Sequence, residues 1–222
     1  MFKFSISFEE NMSNTVFSGV EVRERIVEIA LKQFLDHGIR NITILRLVEP
    51  LGISTKTVYK YFRSKEELLE ECLGLLYAGY FNEFDQIVRR KDNPVNTLHF
   101  LFRKTLEKDF GMNRDFFHDL NYYYPELQNA AIQRDSENYT GLLIPLIQRG
   151  INEGYFDSEL DPELAIRGIV ALYTIITRGE EYRNYTGNPA HLFNNLVEVF
   201  IKGMCTPLGL IELDNNSIFK KS

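Results

Sequence analysis

From Val20 to Met204, apolar residues recur at spacings of three and four, which is the repeat of one face of an α-helix. No segment combines sustained apolar and polar alternation with hairpin turns, so the pattern does not favour β-strands. Gly, Pro and Asn residues separate the periodic runs and mark helix ends. The sequence therefore predicts an all-α fold with about nine helices.

The periodic runs divide the chain into four parts. Residues 1–19 lack helical periodicity and predict a flexible N-terminal arm, within which translation could start at Met1 or at Met12. Residues 20–66 predict a three-helix domain, and residues 67–205 predict a larger helical domain with a kink or break at Pro145. Residues 206–222 predict a loose polar tail.

The most informative stretch runs from Asn41 to Lys65. Thr43 is a good N-cap for one short helix, and Ser54 is a good N-cap for a second one that follows the turn at Gly52. Two short helices joined at a Gly turn and packed on the preceding helix form a helix-turn-helix unit. The second helix is rich in small, hydroxylated and basic side chains, which can reach base edges and phosphates in a major groove.

Local charge favours the same interpretation. The whole chain carries 25 basic and 31 acidic residues, a net charge of −6 that by itself argues against a protein coating nucleic acid. Between Ile39 and Lys65, however, six basic residues accompany one acidic residue, so this window carries +5 and the remainder −11. The alternative is a solvated helical hairpin that happens to be basic.

Arg23 to Leu69 resembles the N-terminal DNA-binding domain of the TetR family of transcriptional regulators. The resemblance is carried by Thr43, by Leu51-Gly52-Ile53-Ser54, by Thr57-Val58-Tyr59-Lys60-Tyr61-Phe62, by Ser64-Lys65-Glu66-Glu67-Leu68-Leu69, and by Phe34 and Gly38 at the end of the first helix. The chain departs from the family pattern at Val48, Pro50 and Lys56, which bears on the operator sequence.

The resemblance implies a homodimer that binds a DNA operator and whose C-terminal helices bind a small-molecule effector. It also implies a DNA-binding set of nine residues. Thr43 and Lys65 would contact phosphate, and Ser54 would cap the recognition helix. Thr55, Lys56 and Thr57 would face base edges, with Tyr59, Lys60 and Tyr61 at or near the DNA backbone.

The last two long helices, near 162–178 and 189–204, are apolar on more than one face. A helix with two apolar faces needs two burial partners, of which one is the domain core. We expect the other to be a second subunit, giving a symmetric homodimer with a four-helix interface. The alternative is that both helices are central in a monomer.

Aromatic residues are abundant, with 17 Phe and 12 Tyr. They predict a pocket region for an apolar or aromatic effector, with core packing as the alternative role for each residue. The candidates are Phe84, Phe102, Phe117, Tyr123, Tyr139 and Tyr173.

Other site classes find no support in the sequence. The two Cys and four His residues share no metal-ligand spacing, and no phosphate loop or nucleophile motif is present, so we expect no metal, no cofactor and no enzyme activity. No apolar run reaches the roughly 18 residues of a membrane span, and a cytoplasmic location is the default expectation.

Together these observations predict a ligand-responsive dimeric transcriptional regulator. We expect a repressor that binds a pseudo-palindromic operator and is released from it by an effector. The alternative is a helical ligand-binding or protein-interaction module without DNA readout.

Overall fold

The computed structural model of the protein describes residues 19–112, 114–182 and 184–218. Apart from one isolated bridge between Phe156 and Cys205, every regular element in these residues is a helix, which confirms the all-α prediction. Residues 1–18 of the predicted arm lie outside the described residues, as do residues 219–222 of the predicted tail.

Four helices form the N-terminal part: α1 (Gly19–His37), α2 (Ile44–Val48), α3 (Thr55–Tyr61) and α4 (Lys65–Val88). The side chains of Thr43 and Ser54 each accept a backbone N–H of the following first turn, so the two predicted N-caps form, and Ser64 caps α4 in the same way. The short helices α2 and α3 bury Leu47 and Val58 against α1. Two turns of helix are marginal in water alone, so this burial is what keeps them folded.

The remaining helices form the larger C-terminal part. They are α5 (Pro94–Gly111), α6 (Arg114–Tyr123), α7 (Pro125–Asn152), α8 (Pro162–Arg178), α9 (Pro189–Leu192), a π-helical turn (Phe193–Val197), α10 (Glu198–Met204) and α11 (Pro207–Ile218). Residues of α5, α7, α8 and α10 share one buried apolar cluster. Phe116 and Leu120 of α6 instead join the cluster of the N-terminal helices, so α6 packs on the end of the molecule that holds α1 to α3.

Two predicted features of the chain's end differ from the structure. The described residues contain eleven α-helices where about nine were expected, because the π-helical turn divides the predicted helix 189–204 into α9 and α10 and because α11 is additional. The predicted loose tail is therefore wrong for Pro207–Ile218. Thr206 accepts the Gly209 N–H at its hydroxyl and Leu213 is buried, and these tertiary and capping contacts stabilise a segment with little periodicity of its own.

Of the kink or break predicted at Pro145, the break does not occur, since α7 runs continuously from Pro125 to Asn152. Proline removes one helical hydrogen bond, but Leu143, Leu146 and Ile147 on either side of it are buried in the core. The free energy gained by burying these flanking residues exceeds the cost of the missing hydrogen bond.

Among the described helices, none combines the length and the apolar character needed to cross a bilayer.

Candidate functional site

The recognition helix α3 separates its side chains cleanly. Val58 is buried, and Phe62 immediately after the helix is buried as well, so these two residues anchor it to the core. Ser54, Lys56, Tyr59 and Lys60 are exposed, and Thr55, Thr57 and Tyr61 are half-buried. Tyr59 exposes 55% of its surface to solvent. Such exposure is unusual for a large aromatic side chain unless the side chain contacts a binding partner.

The turn before α3 fixes the orientation of this helix. Gly52 has φ +63°, a left-handed conformation that glycine adopts without strain, and its N–H donates to the Glu49 carbonyl. Pro50 lies in a short 3₁₀ turn, Glu49–Leu51, that directly follows α2. Proline is tolerated near the start of such a turn because the N–H it lacks has no helical acceptor there. The departure at Pro50 is thus accommodated without loss of the motif.

The structure places Lys65 differently from the other candidate DNA contacts. Its Nζ donates to the carbonyl oxygens of Ile39 at 2.6 Å and Ile42 at 2.5 Å, and it lies 5.7 Å from the centre of the Phe34 ring. Burial lowers the pKa of Lys65, while Glu66 and Asp119 act in the opposite direction. The ammonium group therefore ties down the loop between α1 and α2.

Tyr123, one of the candidate pocket residues, lies at the junction between the two parts of the molecule. Its hydroxyl accepts from Arg40 Nη1 at 2.7 Å, and the Arg40 guanidinium carbon lies 4.2 Å from the ring centre. The Arg40 backbone N–H donates to Asp119 Oδ2 at 2.8 Å. Helix α6 thus binds the loop that leads into the helix-turn-helix.

An apolar cavity lies between α4, α5, α7 and α8 and has a volume of about 430 Å³. It is lined by four of the six candidate residues: Phe84, Phe102, Tyr139 and Tyr173. Phe117 instead lines a second cavity of about 330 Å³, between α6 and the end of α8. The structure therefore brings four of the predicted aromatic residues together and leaves Phe117 and Tyr123 outside that group.

A buried carboxylate stands at the polar end of the apolar cavity. Asp109 accepts from the Tyr80 hydroxyl at Oδ1, at 2.8 Å, and from the Tyr173 hydroxyl at Oδ2, at 2.5 Å. Burial raises the pKa of Asp109, whereas the two hydroxyl bonds and the positive charges of Arg178 and Lys108 oppose that rise. Burial beside the same carboxylate also raises the pKa of Tyr173.

A second polar group lies beside the first. Arg178 Nη2 donates to the Tyr77 hydroxyl at 3.3 Å. With the Gln128 amide oxygen turned toward Arg178, it accepts from Nε at 3.2 Å and from Nη1 at 3.1 Å, and the amide nitrogen donates to Tyr77. Asp109 and Arg178 line both cavities, so they mark the boundary between them.

The sequence prediction did not select Asp109 or Arg178 as site residues. Each is a charged residue near the end of a largely apolar helix, and that was the signal available in the sequence. Such residues usually reach solvent, and only the packing of α5 against α4 and α8 buries Asp109 beside two tyrosines.

Helices α8 and α10 also carry apolar side chains on the surface of the chain. Leu164 and Ile175 on α8 are exposed by 68% and 48%, and Val199 on α10 by 58%. Gly168 lies between the two α8 residues, and a Cβ there would come within 2.8 Å of Phe200, so the two helices pack closely side by side.

Known proteins resemble this chain in sequence and in fold. Residues 26–72 match the family model for bacterial regulatory proteins of the tetR family. The transcriptional repressor KstR2 of Mycobacterium tuberculosis is 28% identical over 154 residues, which cover 66% of this chain and 75% of the repressor.

Two solved structures have a similar fold. A TetR/AcrR-family regulator from Thermobifida fusca superposes with a TM-score of 0.64 at 20% identity, covering 82% of this chain and 98% of its own. The regulator FadR from Bacillus subtilis, solved in complex with stearoyl-CoA, gives a TM-score of 0.63 at 18% identity, covering 82% and 98%.

The matched segment 26–72 spans the helix-turn-helix described above, and the relatives named for it are transcriptional regulators, which are not enzymes. The expectation of a regulator without enzyme activity is thereby confirmed. The chain therefore resembles bacterial transcriptional regulators of the TetR family, and its residues 26–72 match the model of that family.

Proposed function

We propose that the protein is a dimeric repressor that binds a pseudo-palindromic operator through α3 and leaves it when an apolar or aromatic effector occupies the 430 Å³ cavity. The observation that carries the proposal is the exposed polar face of α3, set on a buried apolar anchor and surrounded by the basic window 39–65.

The DNA contacts are assigned to the residues that reach solvent on this face. Lys56 and Lys60 supply positive charge for phosphate, and Ser54, Thr55 and Thr57 supply small hydroxyl groups near base edges. Thr43, Tyr59 and Tyr61 complete the set at or near the DNA backbone. Lys65 acts on DNA indirectly, since it holds the loop before α2 in place.

The effector site is assigned to the cavity because it has a volume suited to a small molecule and mostly apolar walls. The complex of FadR with stearoyl-CoA supports an effector with a long apolar portion. Helix α4 contributes to the cavity at one end and begins directly after the helix-turn-helix at the other, so it connects the two sites physically.

The dimer is assigned to the exposed apolar face of α8 and α10, formed by Leu164, Ile175 and Val199. A second copy of the chain packing on the same face would remove these side chains from water and build a four-helix interface. Two recognition helices about 34–36 Å apart would then reach successive major grooves.

Binding of the purified protein to its own upstream DNA tests the proposal. We expect retardation at low salt that weakens steeply as salt rises, because phosphate contacts release counterions. Lys56→Ala and Lys60→Ala should each reduce the salt slope by about 1 and weaken binding to every sequence.

Arg90→Ala provides the matched control. Arg90 is exposed and follows α4, whose 24 residues place it roughly 36 Å from the helix-turn-helix. Its removal should leave DNA affinity unchanged. Absence of retardation at low salt, or equal effects of all three substitutions, would show that α3 does not read DNA.

A further inference from the structure

The threonine hydroxyls that line the apolar cavity already donate their hydrogens to backbone carbonyls. Thr105 Oγ1 donates to the Leu101 carbonyl at 2.8 Å, and Thr174 Oγ1 donates to the Val170 carbonyl at 2.8 Å. Thr140 Oγ1 likewise donates to a carbonyl of its own helix, at 3.1 Å. A carbonyl can only accept, so the direction of these bonds is fixed, and Thr105 and Thr174 offer an incoming ligand their oxygens.

The tyrosine hydroxyls of the cavity are used in the same way. Tyr80 and Tyr173 donate to the two oxygens of Asp109, and Tyr139 donates to the Tyr77 carbonyl at 3.3 Å. A phenolic oxygen that donates its hydrogen still has a lone pair, and a carboxylate oxygen has more than one. The polar atoms facing this cavity are therefore mainly acceptors.

The cations of the lining are also engaged. Arg178 directs three of its five N–H groups at Tyr77 and at the Gln128 amide. Arg167 is exposed and donates to Glu163 at 3.0 and 2.7 Å. Two N–H groups of Arg178 therefore remain as donors to the cavity, and the acceptor oxygens of the lining outnumber them.

We infer that the effector of this cavity is an apolar molecule that carries a hydrogen-bond donor, an alcohol, phenol or amine, and no carboxylate. This rests on the proposed function, which assigns the effector to the cavity, and adds the chemistry of its polar group. A donor pairs with the acceptors that remain on the Thr105, Tyr80 and Asp109 side chains. A group that only accepts could pair with Arg178 alone, and it would have no hydrogen to share with the oxygens of Thr105, Tyr80 and Asp109, so it would bind less tightly than a donor.

Three probes with one apolar body test this inference: para-octylphenol, its methyl ether and para-octylbenzoate. The phenol donates, the ether only accepts, and the benzoate is charged. Titration calorimetry on the purified full-length protein should give the phenol at least about tenfold tighter binding than either of the other two. The phenol should also release the protein from retarded DNA at the lowest concentration.

Variants of the lining provide the second arm of the test. Asp109→Leu removes the acceptor that Tyr80 and Tyr173 share, so two hydroxyls gain free hydrogens and the preference should shift toward the ether. Thr105→Val removes one acceptor oxygen at nearly constant volume and should weaken the phenol severalfold. Thr177→Val is its matched control, because Thr177 makes the same bond to its own helix but lines only the second cavity.

The outcomes separate the two proposals. Equal or tighter binding of the ether or the benzoate by the unaltered protein would overturn the inference and leave the repressor intact if DNA is still released. The inference would also be overturned if Asp109→Leu is folded, as judged by circular dichroism, and still prefers the phenol to the ether by the same factor. Failure of the unaltered protein to retard DNA would instead contradict the proposed function, whatever the probes do.

Discussion

Lys65 shows how a residue's chemistry depends on what its side chain touches. Its position after the helix-turn-helix motif predicts a phosphate contact, yet its Nζ lies between the carbonyls of Ile39 and Ile42. The two bonds fix the loop that carries Arg40 and leads to α2. Such a lysine supports DNA binding by holding the backbone of the motif in place.

Replacing Lys65 with Met should therefore lower stability as well as DNA affinity. The change leaves the Ile42 carbonyl without its Lys65 donor and the Ile39 carbonyl with only the Ile42 N–H at 3.4 Å. We expect a loss of about 1–3 kcal/mol in the free energy of unfolding, measured by urea denaturation. Lys60→Met is the comparison, because Lys60 is exposed on α3. It should weaken DNA binding with little change in stability, and an equal loss in both variants would contradict the assigned role of Lys65.

Two glycines with left-handed backbones give a second prediction at the scale of single residues. Gly52 has φ +63° and nothing lies within 4 Å of the point that a Cβ would occupy, whereas Gly38 has φ +80° and a Cβ there would lie 3.0 Å from Asp115 Cβ. Gly52→Ala should cost only the strain of the left-handed conformation, about 1–2 kcal/mol. Gly38→Ala should cost more, because it also pushes α6 away from the end of α1. Thermal unfolding of both variants checks the order, and a larger loss at Gly52 would refute it.

At the scale of elements, helix α7 contains a proline that its packing tolerates. Pro145 is exposed, lacks the N–H that would bond to the Gly141 carbonyl, and still lies in an unbroken helix. The buried residues on either side of it hold the backbone in line. Because Pro145 weakens α7 locally, a residue that restores the missing hydrogen bond should stabilise the protein.

We expect Pro145→Ala to raise the free energy of unfolding by about 1–2 kcal/mol, because the restored bond outweighs the extra freedom of the unfolded chain. Pro162→Ala is the matched control, since Pro162 occupies the first turn of α8, where proline removes no helical bond. It should give no gain. A fall in stability for Pro145→Ala would mean that the ring itself packs favourably.

At the scale of the whole molecule, the exposed apolar face of α8 and α10 is the feature that a single chain does not explain. Core helices bury one side, and here Leu164, Ile175 and Val199 lie on the other. Exposed apolar side chains on adjacent helices are consistent with the interface proposed above. Dimerisation would also set the separation of the two recognition helices, so DNA affinity should depend on it.

The double variant Ile175→Glu with Val199→Glu should convert the protein to a monomer in size-exclusion chromatography with light scattering. Two charges would then lie in an apolar interface without partners, at a cost that a dimer cannot offset. Leu45→Glu, at an exposed leucine on α2, is the control for oligomeric state and should remain dimeric. A dimer that survives the double variant would place the interface elsewhere.

Local sequence accounts for most of the helix-turn-helix and for less of the cavity. The caps at Thr43, Ser54 and Ser64 involve residues three apart, so residue type and spacing are sufficient to predict them. The cavity depends on residues far apart, such as Tyr80, Asp109 and Tyr173, which meet only through the packing of three helices. Four of the six predicted aromatic residues nevertheless line it, because a large aromatic side chain on an apolar face is usually near the core.

The sequence by itself determined the all-helical fold, the positions of the helix caps and the resemblance to the TetR family, since periodicity, capping and motif spacing are local properties. Tertiary structure alone decided that Lys65 bonds to carbonyls, that α7 continues through Pro145, that α11 forms, and that Asp109 is buried between two tyrosines. The physical reason is common to all four. Burial against distant parts of the chain contributes more free energy than the local preference of each segment. A short window of sequence does not contain the residues that supply this burial.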